Sequence, residues 1–506
     1  MAMPGARVRL LLATALALVV LAAVVYLLWP RTQPLPDEPT AQLLAAAQGL
    51  DDVAVDAVFD PAKRTVQVTQ RMTLTNRTGK AQELLVLRAY ANAFASEETS
   101  PAATEELYDA CYPDGFSEGY LTISAMRVAM QGLGVTDQAY AYTDDAGTVM
   151  ELALPMVWGA GEALTLEAVY TVYIPEAAHR FGASDGVYSL GNTFLIPAPY
   201  VAGAYVTDAY YSIGEPFSSE CRNYEVRLSL PQGYAVAGSA APVSQKLEGG
   251  LETVRLYAPA VRDFALCISH EWKQAHMRHN GVLVMAYAKS TAHARSMLTY
   301  AAAALACYEA RYGAYPYPAY TLCETTIPFD SMAYPALGMV SKSVLDAGGD
   351  ALEQLVAREV AHQWWGTLIG TDQYNQPWQD EALCEFSLLE YWEMRKGKAA
   401  REALAYERLE TAMRVTIPRG VTPGSPIDYF GDWSEYRVVV HGRGGAAMIA
   451  LDLALEGRLN DFLALYYERY AFASATRADF ETLLAGVTGE DWTPLLSDYL
   501  DTNLNN

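Results

Sequence analysis

The segment Arg358-Glu359-Val360-Ala361-His362 combines residue types that support metal-dependent hydrolysis. Residues at i and i+4 share one face of a helix, so two imidazoles there can bind one ion while a carboxylate at i+1 holds the attacking water. In this chain the i position is Arg358, whose guanidinium has no lone pair to donate to a metal. The five residues alone are weak evidence, because any amphipathic helix can carry such a charge stripe.

A wider set of segments resembles the aminopeptidase-N family of gluzincin zinc metallopeptidases. The resemblance extends from about residue 50 to about residue 500 and includes a hairpin turn, the end of a β-rich region, the entry to an active-site strand and the helix described above. These segments are Phe59–Val66, Val261–Ala265, Ala314–Pro318, and Val356–Gly366 with Asp380-Glu381-Ala382. The resemblance implies a zinc-dependent peptidase fold.

The resemblance also implies roles for individual residues. In that family two histidines at i and i+4 bind zinc, the residue after the first is the general-base glutamate, and another glutamate beyond an eighteen-residue gap completes the site. His362 matches the second zinc ligand and Glu381, after the gap 363–380, matches the third. Glu359 matches the general base, and Arg358 stands at the first ligand position.

A second departure concerns the site for the substrate amine. Ser331–Pro335 resembles the family's Gly-x-Met-Glu motif with its following Tyr-Pro. The glutamate that holds the α-amine in the family is replaced by Ala333. The resemblance makes Met332 and Tyr334 the neighbouring substrate-binding candidates.

A third departure concerns the tyrosine that stabilises the oxyanion in the family. Val440–Gly444 resembles its Val-Tyr-x-Lys-Gly setting, which places His441 at the tyrosine position. Tyr436 and Tyr429 are the alternatives if the register is shifted. His441 is either a relocated metal ligand beside His362 and Glu381 or a hydrogen-bonded pocket residue.

The positive charge of Arg358 leads to a hypothesis about the whole site. A guanidinium would repel a metal cation by several kcal/mol at short range if the effective dielectric constant is ~20. It would instead attract Glu359 and Glu381 and neutralise the carboxylates that zinc balances in the family. We therefore expect the chain not to bind zinc stoichiometrically.

Three functions follow as hypotheses. The first is a pseudopeptidase that binds peptides or proteins through the inherited groove without hydrolysing them, because three separate catalytic positions are replaced. The second is an active zinc metallopeptidase with a remodelled site and Glu359 as general base. The third is a structural partner within a membrane complex.

The hydrophobic pattern predicts a chain of several α and β domains. Residues 50–275 show strand periodicity, first in Val53–Phe59 and Thr65–Leu74, and then in Leu164–Ile174, Tyr224–Leu230 and Thr253–Tyr257. Residues 276–506 show helical periodicity, and the segments with this pattern are Thr291–Gly313, Asp350–Ile369, Gln379–Gly397, Ala399–Val415, Gly444–Gly457, Asp461–Ala471, Arg477–Leu484 and Trp492–Leu500. By resemblance, a saddle-like β-rich domain precedes a thermolysin-like, mainly helical domain of catalytic type.

The N-terminus predicts a membrane anchor. Leu10–Trp29 is free of charge and, at about 1.5 Å per residue, is long enough to span a bilayer core. Arg7 and Arg9 precede it, which favours a single-pass helix within residues 1–30 and an extracytoplasmic C-terminal ectodomain. A cleaved signal peptide is the alternative. Residues 31–49 begin with several prolines and are predicted to form a stiff tether.

The net charge limits the classes of partner that the chain can bind, and the cysteine content bears on disulfides. A net charge of -24 would repel phosphate backbones, so we expect no nucleic-acid partner. The expected partners are a peptide or protein in the groove and the membrane at the N-terminal helix. The six cysteines form no C-x-x-C pair, and they leave open either one or two disulfides or buried free thiols.

Overall fold

The computed structural model describes residues 34–417 and 419–503, so the anchor predicted over Leu10–Trp29 lies outside the described residues. Among those residues no single helix is long and apolar enough to cross a membrane. Two consecutive helical stretches, Trp433–Ala454 and Leu459–Tyr470, are long and apolar enough only when taken together. They are bent by 110° at the break between them. The described residues from 36 onward form one compact unit.

The predicted β-rich part is built on an eight-stranded sheet. The first two strands, Asp52–Asp60 and Thr65–Thr75, pair antiparallel, and they confirm the predicted hairpin. Their buried and exposed side chains alternate, so one face packs on the core and the other meets solvent. Across the sheet the strands are Pro242–Glu248, Leu251–Val261, Arg222–Pro231, Asp52–Asp60, Thr65–Thr75, Ala163–Tyr173, Tyr120–Met130 and Leu133–Asp137.

Smaller sheets complete this β-rich part in the described residues. One contains the strands Ala235–Gly238, Leu266–Ser269, Val187–Leu190 and Phe181–Ser184. A second contains Ile196–Pro197, Gln82–Arg88, Val149–Trp158 and Tyr140–Tyr142, and a two-stranded ribbon joins Tyr200–Val201 to Ala204–Tyr205.

The helical part opens with a five-stranded sheet that the sequence did not predict. Its strands are, in order, Lys273–His279, Val282–Ala288, Ala319–Thr325, Leu337–Ser341 and Ser331–Tyr334. Val282–Ala288 and Ala319–Thr325 are buried at every residue, so they show no alternation that would distinguish a strand from a buried helix. The predicted boundary after residue 275 falls inside the first of these strands and stays a prediction.

Ser331–Tyr334, which we call the edge strand, pairs antiparallel with Leu337–Ser341 at the sheet's edge. Gly349–Ala361 is the first site helix and Trp378–Lys396 is the second site helix. The other α-helices of the described residues are Ala41–Ala47, Tyr108–Cys111, Thr291–Tyr312, Lys342–Ala347, Lys398–Ala405, Trp433–Tyr436, Gly444–Ala454, Leu459–Tyr470, Arg477–Thr488 and Thr493–Leu500. Wider π-helical turns occur at Tyr406–Glu410 and Arg437–Arg443, and 3-10 turns at Tyr90–Phe94, Ala412–Arg414 and Ile427–Tyr429.

The predicted helix Asp350–Ile369 is too long, because the first site helix ends at Ala361. The Thr367 hydroxyl donates to the backbone carbonyls of His362 and Gln363, and so satisfies the last carbonyls of the helix. Gly366 follows with a φ of +93°, a left-handed conformation that favours glycine and turns the chain away. His362 remains one turn beyond Arg358, since its backbone N–H still donates to the Arg358 carbonyl.

The predicted tether also differs from the structure. Ala41–Ala47 within it is helical, capped by the Thr40 hydroxyl, which accepts from the Leu43 N–H at 3.1 Å. Leu43 and Ala47 are buried, so packing of these two apolar side chains stabilises a helix next to the proline-rich segment.

Candidate functional site

The candidate site lies where the two site helices face each other. Every residue of the second site helix from Trp378 to Trp392 is buried, so its acidic side chains require internal partners. Glu381 and Glu385 are one turn apart on this helix and point to the same side. The first site helix contributes Arg358 and Glu359 from its last turn and ends on His362.

Arg358 is the cation at the centre of this site, with a side chain only 11% exposed. Its Nη2 group donates to Glu381 Oε2 and its Nε group donates to Glu385 Oε1 at 3.1 Å. The same Nη2 lies 3.0 Å from His441 Nδ1, and Nη1 lies 3.6 Å from Glu359 Oε1. One guanidinium therefore contacts Glu381 and His441, two of the metal-ligand candidates, together with the carboxylates of Glu385 and Glu359.

A second arginine, Arg408, supports this bridge from another helix. Its Nε and Nη2 groups donate to the two oxygens of Glu385 at 2.8 and 2.6 Å, in a bidentate pair. Burial alone would raise the pKa of Glu385, but the attraction and hydrogen bonds of Arg408 and the charge of Arg358 hold it well below its ordinary value. Glu385 is therefore a buried anion shared by two guanidinium groups.

The same balance keeps Glu381 ionised. Burial opposes ionisation, but the charge of Arg358 lowers the pKa of the Glu381 carboxyl below its ordinary value. His362 Nε2 lies 3.6 Å from Glu381 Oε2. Burial lowers the pKa of His362 to about 4, so its imidazole is neutral near pH 7.

His441 lies in the π-helical segment Arg437–Arg443 and faces both site helices. Because an arginine can only donate, His441 Nδ1 accepts from Arg358 Nη2. Nε2 has no hydrogen-bond partner in the described residues and lies 3.7 Å from Glu381 Oε2. The ring of Tyr436 contacts His441 edge-on at 5.4 Å, whereas Tyr429 is 61% exposed.

Glu359 is almost completely buried, and its two oxygens differ. Oε1 accepts a hydrogen bond from the Ser331 hydroxyl at 2.7 Å, while Oε2 is buried without a partner in the described residues. Burial raises the pKa of Glu359 to about 7, against the lowering effects of Arg358 and of the Ser331 bond. This carboxyl therefore changes its charge near neutral pH.

We expect Glu359→Gln to stabilise the fold at pH 8 by on the order of 2–3 kcal/mol, because the folded state binds the Glu359 proton more tightly than the unfolded state. Ionisation of Glu359 destabilises the wild type progressively from about pH 4.5 to about pH 7, and glutamine does not ionise. Urea unfolding at pH 5 and pH 8 measures the difference. Glu410→Gln, which changes an exposed carboxyl, is the control; an equal effect of Glu359→Gln at both pH values would contradict the expectation.

The edge strand is fixed to the first site helix by Gln363. Its side-chain oxygen accepts from the Ala336 N–H at 2.8 Å and its amide donates to the Tyr334 carbonyl at 3.1 Å. Met332 and Ala333 then border the site with no charged group. The Tyr334 hydroxyl donates a hydrogen bond to Asn192 Oδ1 at 2.9 Å, so it is not directed at a ligand in the groove.

A cavity of about 600 Å³, which we call the groove, runs beside these residues. Its lining includes Arg358, Glu359, His362, Glu381, His441, Met332 and Ala333, together with residues that the sequence did not single out, namely Arg180, Glu215, Phe329, Arg408 and Trp433. A smaller pocket of about 50 Å³ adjoins it and is lined by Tyr334. The i, i+4 spacing of Glu381 and Glu385 was a sequence signal for one further residue, Glu385, whereas Arg180 and Arg408 carried no such signal.

These side chains do not fit a zinc ion. Among residues 34–417 and 419–503, no group of three or more His, Cys, Asp or Glu side chains is arranged to hold a metal. A zinc site needs at least three such ligands, and here the guanidinium of Arg358 contacts the Glu381 oxygen that would ligate the ion.

Comparisons with known proteins agree with this fold. Residues 301–499 match the peptidase family M1 domain. The chain is 22% identical over 418 residues to an aminopeptidase N of Lactobacillus delbrueckii subsp. lactis; the match covers 76% of this chain but spans only 46% of that relative's length.

Solved structures of M1 zinc metallopeptidases match the fold of both the β-rich part and the helical part of the chain. A glutamate-to-alanine mutant of an M1 zinc metallopeptidase from Deinococcus radiodurans matches 90% of this chain and 94% of its own, with a TM-score of 0.63 and 14% identity. A form of the mutant from this organism bound to a Tyr-Ser-Ala substrate matches the same shares with a TM-score of 0.61, also at 14% identity. Residues 301–499 thus match an M1 peptidase domain, and the chain shares the fold of M1 zinc metallopeptidases and resembles an aminopeptidase N in sequence.

Proposed function

We propose that this chain is a pseudopeptidase that binds peptides in the groove and does not cleave them by zinc-dependent hydrolysis. The observation that carries the proposal is the contact of the Arg358 guanidinium with Glu381, Glu385 and His441 at once. In the family, zinc is the expected cofactor at this position, where it would polarise the scissile carbonyl and activate water. An arginine side chain offers neither a ligand nor an exchangeable position for water.

The geometry of His441 also argues against a relocated metal site. A ligand set of His362, Glu381 and His441 requires an imidazole nitrogen with a free lone pair directed at the ion. His441 uses the lone pair of Nδ1 to accept from Arg358, and its Nε2 lies 3.7 Å from Glu381 Oε2. The Glu381 oxygen nearest both histidines is the one that accepts from Arg358.

Peptide binding is supported by the groove and by a structural neighbour. Its volume of about 600 Å³ lies within the roughly 300–1,000 Å³ range of ligand pockets. The Deinococcus radiodurans protein with the same fold was solved with a Tyr-Ser-Ala substrate. Apolar and aromatic side chains such as Met332, Phe329 and Trp433 line this chain's groove beside its charged groups.

An active peptidase is the second candidate, and Glu359 favours it. Its pKa of about 7 suits a general base, and its carboxyl lines the groove beside His362. In this alternative, Glu359 takes a proton from water during attack on the peptide carbonyl. The two candidates therefore differ in whether turnover depends on Glu359.

Turnover of alanyl and arginyl chromogenic substrates, with and without added zinc, distinguishes the candidates. We expect no difference between the wild type and Glu359→Gln in either condition. Calorimetric titration with Tyr-Ser-Ala, used here as a test peptide, should at the same time show binding to both proteins. Turnover that disappears in Glu359→Gln would support the active enzyme, and absence of peptide binding would contradict the ligand-binding function.

The cellular location belongs to the same proposal. A single-pass anchor at Leu10–Trp29 would place the groove on the extracytoplasmic side of the membrane. Retention of the full-length chain in the membrane pellet after alkaline extraction, and its release when residues 1–30 are deleted, are the expected results. Release of both forms would contradict the anchor.

A further inference from the structure

Arg180 is a buried cation on the wall of the groove that the proposed function does not use. It immediately precedes the strand Phe181–Ser184, and its exposed fraction is 1%. Its Nη2 group donates to the Gly214 carbonyl at 3.2 Å, and its Nη1 group contacts the Met332 sulfur at 3.7 Å. Its Nε group is buried with no partner among the described residues.

The other arginines of the groove differ from Arg180 in one respect. Arg358 and Arg408 are paired with Glu385, and Arg437 lies 3.9 Å from Asp330. Within the described part of the chain, Arg180 has no carboxylate oxygen within 4.0 Å of its guanidinium. A buried arginine without a counterion is unusual, because transfer of the charge out of water is costly unless it is paired.

Two aromatic rings hold the guanidinium in place. Its central carbon lies 5.2 Å from the ring centre of Phe217 and 5.2 Å from that of Phe329. Both rings attract the cation through their electron-rich faces and keep it away from water. They satisfy no N–H donor, so most of the five donors remain available to an acceptor that enters the groove.

Glu215, also in the groove, does not neutralise this charge. Its carboxyl accepts from the Gln373 amide at 2.8 Å. Burial, together with the nearby Glu381 and Asp380, raises the pKa of Glu215 well above its ordinary value, against a lowering effect of Arg180. Arg180 therefore makes no ion-pair contact with Glu215 in the described residues, on a wall where Met332 and Ala333 carry no charge.

We propose that Arg180 is the anchor for a carboxylate of the bound peptide, so that the groove selects peptides with an acidic group at this position. The planar guanidinium presents paired donors that match the two oxygens of a carboxylate. This inference rests on peptide binding as the proposed function and adds a chemical preference to it. The carboxylate can come from an acidic side chain or from a peptide C-terminus.

Calorimetry with three capped tripeptides tests the preference and separates the two sources. The probes are acetyl-Ala-Glu-Ala-amide, acetyl-Ala-Gln-Ala-amide and acetyl-Ala-Ala-Ala with a free C-terminal carboxylate. We expect the wild type to bind at least one of the acidic peptides 10-fold or more tightly than the neutral one. Equal affinity for all three would overturn the inference while leaving peptide binding itself intact.

Arg180→Met and Arg180→Gln should remove this preference, and Arg88→Met is the matched control. Arg88 is also 2% exposed, stacks on the Tyr90 ring at 4.7 Å and donates to backbone carbonyls, but it does not line the groove. The control should keep the full preference for the acidic peptide. An unchanged preference in a folded Arg180 variant would overturn the inference.

A carboxylate that is not part of a peptide tests the anion site independently of peptide binding. Acetate, titrated at constant ionic strength, should raise the melting temperature of the wild type and of Arg88→Met but not of the Arg180 variants. If acetate raises the melting temperature in this way but no tripeptide binds, the anion site is supported and peptide binding is contradicted. An acetate effect that is equal in the Arg180 variants, or absent in the wild type, would overturn the anion site.

Discussion

Replacing Arg358 by methionine is expected to lower the free energy of unfolding by about 3–5 kcal/mol near pH 7, the usual cost of breaking a buried ion pair from one side. Methionine preserves much of the apolar volume but leaves Glu381 without its guanidinium partner in a buried helix. Glu385 keeps Arg408, which limits the loss at that position. Urea unfolding followed by tryptophan fluorescence measures the change.

The effect of this substitution should depend on pH in a defined direction. The pKa of Glu381 is lowered in the folded wild type, so its contribution to stability is present above its unfolded pKa and is lost as the pH falls through the folded value. Without Arg358 that contribution disappears, and wild type and variant should converge in acid. Arg227→Met, which breaks an exposed pair with Glu225, should cost less than about 1 kcal/mol. If Arg358→Met also lowers the free energy of unfolding by less than about 1 kcal/mol, the central role of this arginine is refuted.

Replacing Arg358 by histidine is expected to create a zinc site. The variant would present imidazoles at 358 and 362 on one helix face and would free the Glu381 carboxylate from its ion pair. If zinc binds only the folded variant, a concentration 100 times the dissociation constant would stabilise it by about 2.7 kcal/mol. Thermal unfolding with and without zinc, together with metal analysis, measures this gain.

The ligand set of this variant can be tested by a second substitution. Adding His362→Ala to Arg358→His should abolish zinc-dependent stabilisation, since two protein ligands are too few for a stable site. The single variant is not expected to gain peptidase activity, because by resemblance Ala333 and His441 stand at the family's amine-binding and oxyanion positions. Equal zinc stabilisation of Arg358→His and the double variant would show that the ion binds elsewhere.

Local sequence patterns predicted the elements whose apolar side chains recur at a regular spacing. The hairpin Asp52–Thr75 was predictable because one face is buried and the other exposed at every second residue. The helices of the C-terminal part were predictable because alanine, leucine and glutamate recur at helical spacing. The five-stranded sheet lacked this signal, because its central strands are buried on both faces.

The candidate site was predicted in part for a similar reason. Arg358, Glu359 and His362 lie within one helical turn and its continuation, so their proximity follows from spacing alone. His441 was placed through the resemblance, and its contact with Arg358 agrees with that placement. The pairing of Arg408 with Glu385 joins two separate helices, and the Arg180 guanidinium lies against two rings, Phe217 and Phe329, that are distant from it in the sequence. No local pattern encodes such contacts.

Metal analysis of the purified wild-type protein tests the central claim most directly. The protein would be incubated with excess zinc, dialysed against metal-free buffer and analysed for zinc per chain, with Arg358→His treated in parallel. If the Arg358 guanidinium replaces the metal, the wild type should retain far less than one zinc per chain and the variant about one. One zinc per wild-type chain, lost on His362→Ala, would contradict the account.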